Sequence, residues 1–261
     1  MSSVRNPAVA GLFYPDDPRE LHAMVTGFLG AVSTAGTVPK AIIVPHAGYV
    51  YSGSIAASAY ARLKSARGRI TRVVLLGPAH RVGFHGLALP SDDHFMTPLG
   101  RIAVDQEAAK KISRLSQVRV MDVAHAQEHS LEVHLPFLQE VLGEFRLVPL
   151  VVGDAGAEEV SEVLDLLWGG PETLIVVSSD LSHYHDYQTA QQMDRATSQA
   201  IEQLRPEDID FDHACGRNPV NGLLHAARRL GLKAKTIDLR NSGDTAGSHD
   251  RVVGYGAYIF E

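Results

Sequence analysis

Two histidines in this chain follow apolar runs that end in Pro or Gly. Ala41 to Val44 leads into Pro45-His46-Ala47-Gly48, and Val73 to Leu76 into Gly77-Pro78-Ala79-His80. Two neutral imidazoles make a start on a transition-metal site and leave positions open for other ligands. A third run, Leu174 to Val177, enters Ser178-Ser179-Asp180-Leu181-Ser182-His183, with a carboxylate and an imidazole three positions apart. On a helix starting there, Asp180 and His183 share a face, and Asp180 orients His183 for acid/base work. A fourth run, Lys235 to Leu239, enters Asn241-Ser242-Gly243-Asp244-Thr245. Asp244 has the charge to serve as the oxygen ligand, with the Thr245 hydroxyl or water as alternatives. His46, His80 and Asp244 would match the two-histidine, one-carboxylate set of non-haem Fe(II) oxygenases, and zinc with a bound water tolerates the same trio.

Each of these has a structural reading beside the functional one. His46 could cap the following helix, His80 could face solvent, Ser179 and Asp180 are good N-caps, and the 241–248 loop could be an ordinary turn. Glu128-His129-Ser130-Leu131-Glu132-Val133-His134-Leu135-Pro136 looks superficially like a zinc-peptidase helix. His129 and His134 are five apart, however, so on a helix they point about 140° away from each other, whereas the peptidase motif needs a separation of four. His129 with Glu132 could edge the crevice. Cys215-Gly216-Arg217-Asn218-Pro219 precedes a helical segment and reads as a turn packed with a buried cysteine rather than as a reactive thiol. His85, His94, His125, His185, His213, His225 and His249 have no comparable context and read as surface or structural.

The elements that must position these residues alternate. Strand-like runs at 41–44, 73–76, 147–152, 174–177, 235–239 and 252–259 are interleaved with helical periods at 54–64, 105–115, 128–143, 157–168, 188–204 and 220–230. This predicts an α/β fold with a mostly parallel or mixed central sheet flanked by helices, the last two strands pairing antiparallel at an edge. In such sheets ligands bind beyond the carboxyl ends of the strands, where these motifs fall. No linker or repeat divides residues 1–261, which predicts a single domain. The 80–100 loop is either a lid beside His80 or a hairpin of Leu87–Leu89 against Ile102–Val104.

Composition narrows the function. A net charge of -6 with no basic run argues against a nucleic-acid partner. No apolar stretch has the length of a membrane span, and no signal peptide is visible at the N-terminus. The expectation is a cytoplasmic protein outside the membrane. Cys215, the only cysteine, excludes an internal disulfide and a cysteine-rich zinc site, so a metal would rely mainly on histidines and carboxylates among the 13 histidines present.

Beyond these motifs, the chain carries Arg5-Asn6-Pro7-Ala8-Val9-Ala10-Gly11 with Phe13-Tyr14-Pro15, and Cys215-Gly216-Arg217. Together with Pro45 to Tyr49, Gly77 to His80, Glu128 to Pro136 and Ser178 to Asp180, they cover nearly the whole sequence. On these residues it resembles the Memo-like family, also called AmmeMemoRadiSam system protein B, whose fold is similar to class III extradiol dioxygenases. The resemblance implies an iron- or copper-binding site using His46 and His80, with Asp180 and His183 lining the pocket. It also implies that a cysteine supplies the third ligand in animal members. Asp244 and Thr245 fall where that cysteine would lie, which moves the expected metal to Fe(II) first, with copper or zinc as alternatives. By analogy the resemblance suggests radical-SAM and AMMECR1-like protein partners, while the Fe(II) oxygenase reading calls for a small aromatic or enol-like substrate. A non-catalytic adaptor recognising phosphopeptides is the competing reading, although the motifs hold no arginine cluster. A zinc hydrolase using Asp180 or His183 as base is a third.

Overall fold

Ala-Ile-Ile-Val at 41–44, and the Val/Leu/Ile runs at 73–76 and 174–177, lack the polar alternation of a half-exposed strand. They are buried on both faces, as strands at the centre of a helix-covered parallel sheet must be. The computed structural model describes residues 2–261. Its strands are β1 (Val4–Arg5), β2 (Ala41–Val44), β3 (Arg72–Pro78), β4 (Leu87–Leu89), β5 (His94–Thr97), β6 (Gly100–Val104), β7 (Val118–Val120), β8 (Arg146–Val152), β9 (Thr173–Ser178), β10 (His183–His185), β11 (Ala234–Asn241) and β12 (Val252–Phe260). The helices are α1 (Pro18–Gly30), α2 (Tyr49–Tyr60), α3 (Gln106–Ile112), α4 (Asp122–Ala126), α5 (Leu135–Leu142), α6 (Ala157–Leu167), α7 (Tyr187–Glu202) and α8 (Arg217–Leu230). None is long and apolar enough to cross a membrane among the described residues.

The strands form one 12-stranded mixed sheet ordered β1-β5-β6-β8-β3-β9-β2-β12-β10, with β11 also on β12 and β4 bridging β7 and β8. The neighbours β8, β3, β9 and β2 run parallel, and their registers align Pro78 with Val152 and Val44 with Ser178. The ends of four strands therefore lie along one rim. Two apolar clusters cover the two faces, one including Leu21, Tyr60, Phe137 and Leu75, the other Ile43, Leu76, Val163 and Leu223. The predicted α/β architecture is the one observed, and β11 and β12 pair antiparallel as expected.

Three local expectations differ from the structure. The hairpin pairs His94–Thr97 with Gly100–Val104, while Leu87–Leu89 lies parallel to β7 and antiparallel to β8. The helix expected from 128 starts only at Leu135, after a 3-10 turn at Glu132–His134. The Glu128 carboxylate accepts from the backbone N–H groups of His129 and Ser130, competing there with helical hydrogen bonding. His183 begins a short strand rather than a helix, because β10 pairs with Val252 and Val253 of β12.

His125 shows how the core handles a polar ring. Nε2 donates to Ala88 O at 2.9 Å, and the buried Nδ1 has no partner. Burial lowers its pKa from 6.5 to about 4, since a second N–H would find no acceptor. Between those values the unfolded chain binds a proton that the folded one does not. The contribution is thus fully present above about pH 6.5 and is lost as pH falls towards 4, by about 3 kcal/mol. Urea unfolding of His125→Gln should show a shallower acid slope than the wild type across that window; equal slopes would remove His125 from the acid sensitivity.

Candidate metal centre

His46 and His80 each lie two residues beyond a strand end, after Val44 of β2 and Pro78 of β3. Parallel pairing through β9 brings the ring centroids to 5.1 Å. The third arm is Cys215, whose Sγ is 3.4 Å from His46 Nε2. One donor atom from each of His46, His80 and Cys215 falls within 4.8 Å of the others. Cys215 reaches the rim because Gly216 packs against the end of β9. A Cβ on Gly216 would sit 2.5 Å from Ser178 O and 2.7 Å from Ser179 Cβ, so a larger residue would push the turn away.

Asp244 is not part of this group. Its Oδ2 accepts from Asn241 N at 2.8 Å, closing the turn after β11, and its Oδ1 accepts from the Tyr187 hydroxyl. It faces a small cavity with Gln191, Asp194 and Arg195, while Thr245 donates its hydroxyl hydrogen bond to Ser242 O at 3.1 Å. The group gathered at the rim thus contains Cys215, the residue read from sequence as a packed turn cysteine, and not the expected Asp244. An acidic residue in a turn can serve its own backbone as readily as a metal.

Carboxylates and hydroxyls behind the donors orient them. The Glu128 carboxylate accepts from His80 Nδ1 at 2.9 Å and from His80 N at 2.6 Å, which directs Nε2 toward the cavity. Burial alone would raise the Glu128 carboxyl, but hydrogen bonds from the ring and backbone of His80 and from Ser130 N outweigh it and hold it at about 2. His46 is held well below its usual pKa, by burial first and then by neighbouring histidines, and is a neutral imidazole. Burial, with Asp180 beside it, pushes the Cys215 thiol up.

Asp180 and His183 both line the cavity of about 510 Å³ over these donors, with His129, Tyr184 and His185. They are not the expected pair. Asp180 Oδ1 accepts from His46 N at 2.8 Å, whereas His183 Nδ1 donates to Leu181 O at 2.8 Å, leaving Nε2 free. Burial raises the Asp180 carboxyl to about 6, against the hydrogen bond from His46 N. Tyr184, between two cavity histidines, has φ +62°, a costly conformation for a bulky residue, beside the register shift that separates His183 from His185. His129 stacks on His80 with centroids 4.7 Å apart, and its buried Nδ1 makes no hydrogen bond but lies 3.4 Å from Glu128 Oε1.

Sequence reasoning missed Glu128 and Glu132 as supporting residues and His185 as a cavity residue. Glu132 is wholly buried and accepts from Arg5 Nη1, Ala8 N, Val9 N and the Tyr14 hydroxyl. A signal was available: two glutamates inside the apolar stretch Leu131 to Leu138 and its approach must find buried partners. Gly77 admits this segment, since a Cβ there would meet Ser130 Oγ at 2.7 Å.

Comparison with known proteins agrees with the motif resemblance. Residues 5–259 match the family model described as Memo-like protein. A MEMO1 family protein of Aquifex aeolicus is 38% identical over 98% of this chain and 99% of its own length. Relatives from Methanopyrus kandleri and Methanosarcina barkeri, also MEMO1 family proteins, are 34% and 36% identical over 98% and 99% of this chain, and over 98% and 100% of their own lengths. Among solved structures, an uncharacterized protein from Escherichia coli K12 aligns with a TM-score of 0.50 at 13% identity, over 84% of this chain and 98% of that one, a likeness of fold alone. With a matching family model over nearly its whole length and relatives above the 30% range end to end, this chain belongs to the Memo-like protein family.

Proposed function

We propose that the protein binds one transition-metal ion through His46, His80 and Cys215 and acts as an oxidoreductase on a small molecule held in the cavity above them. The observation that carries this reading is the gathering of one thiol and two imidazoles within 4.8 Å at the strand rim. The donor set fits: His80 is oriented by a carboxylate, both rings have one nitrogen directed inward, and a divalent cation deprotonates a coordinating thiol. A thiolate makes the set softer than two histidines and a carboxylate, so copper stands ahead of Fe(II), with zinc as the redox-inactive alternative. Such an ion, when bound, would supply electron transfer and Lewis acidity.

The chain's own residues supply the rest. Glu128 fixes the His80 ring, Asp180 holds the His46 backbone, and His183 presents Nε2 to the cavity as the group able to move a substrate proton. Metal analysis after anaerobic purification, followed by oxygen-uptake screening with aromatic and enol-like compounds, tests the reading. Zinc alone at full occupancy with no oxygen uptake would refute it in favour of hydrolysis or binding. His183→Gln should retain metal and lose turnover by ~10²–10⁴-fold. Lost metal in that variant would make His183 a ligand instead.

A further inference from the structure

The hydroxyl of Ser178, at the end of β9, is fully buried and meets three polar groups. Ser130 O lies at 2.6 Å, His46 Nδ1 at 2.6 Å and His134 Nε2 at 2.8 Å. A hydroxyl has one proton to give and two lone pairs to receive. The Ser130 carbonyl can only accept, so the hydroxyl proton goes there. Both imidazole nitrogens must then donate to the two lone pairs.

Two consequences follow for the rings. His134, protonated on Nε2, has a bare Nδ1, and the Tyr60 hydroxyl sits 2.9 Å from it with a proton to donate. His46, protonated on Nδ1, has a bare Nε2, the nitrogen that lies 3.4 Å from Cys215 Sγ. Tyr60, His134, Ser178 and Ser130 are all buried, so water does not readily substitute for a reversed partner. Turning the His46 tautomer round would take the hydroxyl proton away from Ser130 O and leave a buried carbonyl without that bond.

We infer that Ser178, backed by His134 and Tyr60, is a positioning residue that fixes His46 as the Nδ1–H tautomer, so that Nε2 offers a lone pair before any metal arrives. Its purpose rests on the metal reading above, but its geometry does not. The device differs from the carboxylate behind His80: a serine with a dedicated carbonyl acceptor sets the direction, and no charge is buried behind His46 Nδ1.

Long-range proton–nitrogen correlation spectra of the metal-free, nitrogen-15-labelled protein read the tautomer directly. The expected result is His46 protonated on Nδ1 and bare on Nε2. Ser178→Ala should give a tautomer mixture and lose ~10–100-fold in Zn²⁺ affinity measured by chelator competition. Ser178→Thr, which keeps the hydroxyl, should restore both. A wild-type His46 carrying its proton on Nε2, or Ser178→Ala with the wild-type tautomer, would overturn the inference. If Ser178→Ala does not fold, the wild-type spectrum decides. If the wild type binds no metal, the metal reading fails, while the spectrum still decides the tautomer.

Discussion

Replacing His46 and Cys215 together by Ala should abolish stoichiometric metal binding, whereas Asp244→Ala should leave it at about one ion per chain. This contrast is the largest expected effect at the site and separates geometry from charge. Asp244 has the stronger formal claim on a cation, but its two oxygens hold Asn241 N and the Tyr187 hydroxyl. Cys215 is a neutral thiol with its pKa raised by burial, yet its sulfur lies beside His46 Nε2. Elemental analysis of the three proteins after identical purification checks the prediction. Each ligand removed singly should cost more than the ~10–100-fold typical of residues that only orient a ligand. Unchanged metal content in the double variant, or loss of metal in Asp244→Ala, would place the site elsewhere.

The second large effect concerns stability. Glu132→Leu should destabilise the fold by about 3–5 kcal/mol, because Arg5 would keep a buried charge without its counter-charge. Arg5 donates to Glu132 and also to the carbonyls of His125 and Glu128, the latter at 2.7 Å. The same carboxylate holds Ala8 N at 2.7 Å and the Tyr14 hydroxyl at 2.6 Å, tying the N-terminal segment to the turn that carries Glu128. Combining Arg5→Met with Glu132→Leu should recover part of the loss, since both charges then leave together. Urea unfolding of the wild type, both single variants and the double variant gives the comparison. A double variant as unstable as the sum of the singles would mean that the ion pair itself contributes little and that the backbone contacts of Glu132 dominate.

The stability effect runs through the segment Glu128 to Pro136, which also supports His80 through Glu128 and Ser178 through His134, and which sequence spacing rejects as a peptidase helix. That rejection holds: His129 and His134 face different surroundings, the cavity and the Ser178 hydroxyl. Spacing could not show that Glu128, Glu132 and His134 each support something distant in the chain, because their partners lie 48, 123 and 44 positions away.

What the sequence determined by itself is what local pattern controls. Unbroken apolar runs such as Ala41–Val44 must be buried on both faces, so they specify central strands, and Pro45 and Gly77-Pro78 mark the ends from which His46 and His80 emerge. Two of the three donors were therefore legible as residues at a rim. Tertiary structure decided the third. Cys215 stands 169 positions from His46, and only the packing of Gly216 on Ser178 and Ser179 brings its sulfur to the imidazole. It also decided that Asp180 serves the His46 backbone rather than the His183 ring, since β10 pairs with β12 and takes His183 out of any helical register with Asp180. A side chain's type and its place on a strand or turn follow from neighbours in sequence. Which partner receives its charge or its proton depends on contacts between segments far apart, and those form only when the sheet closes.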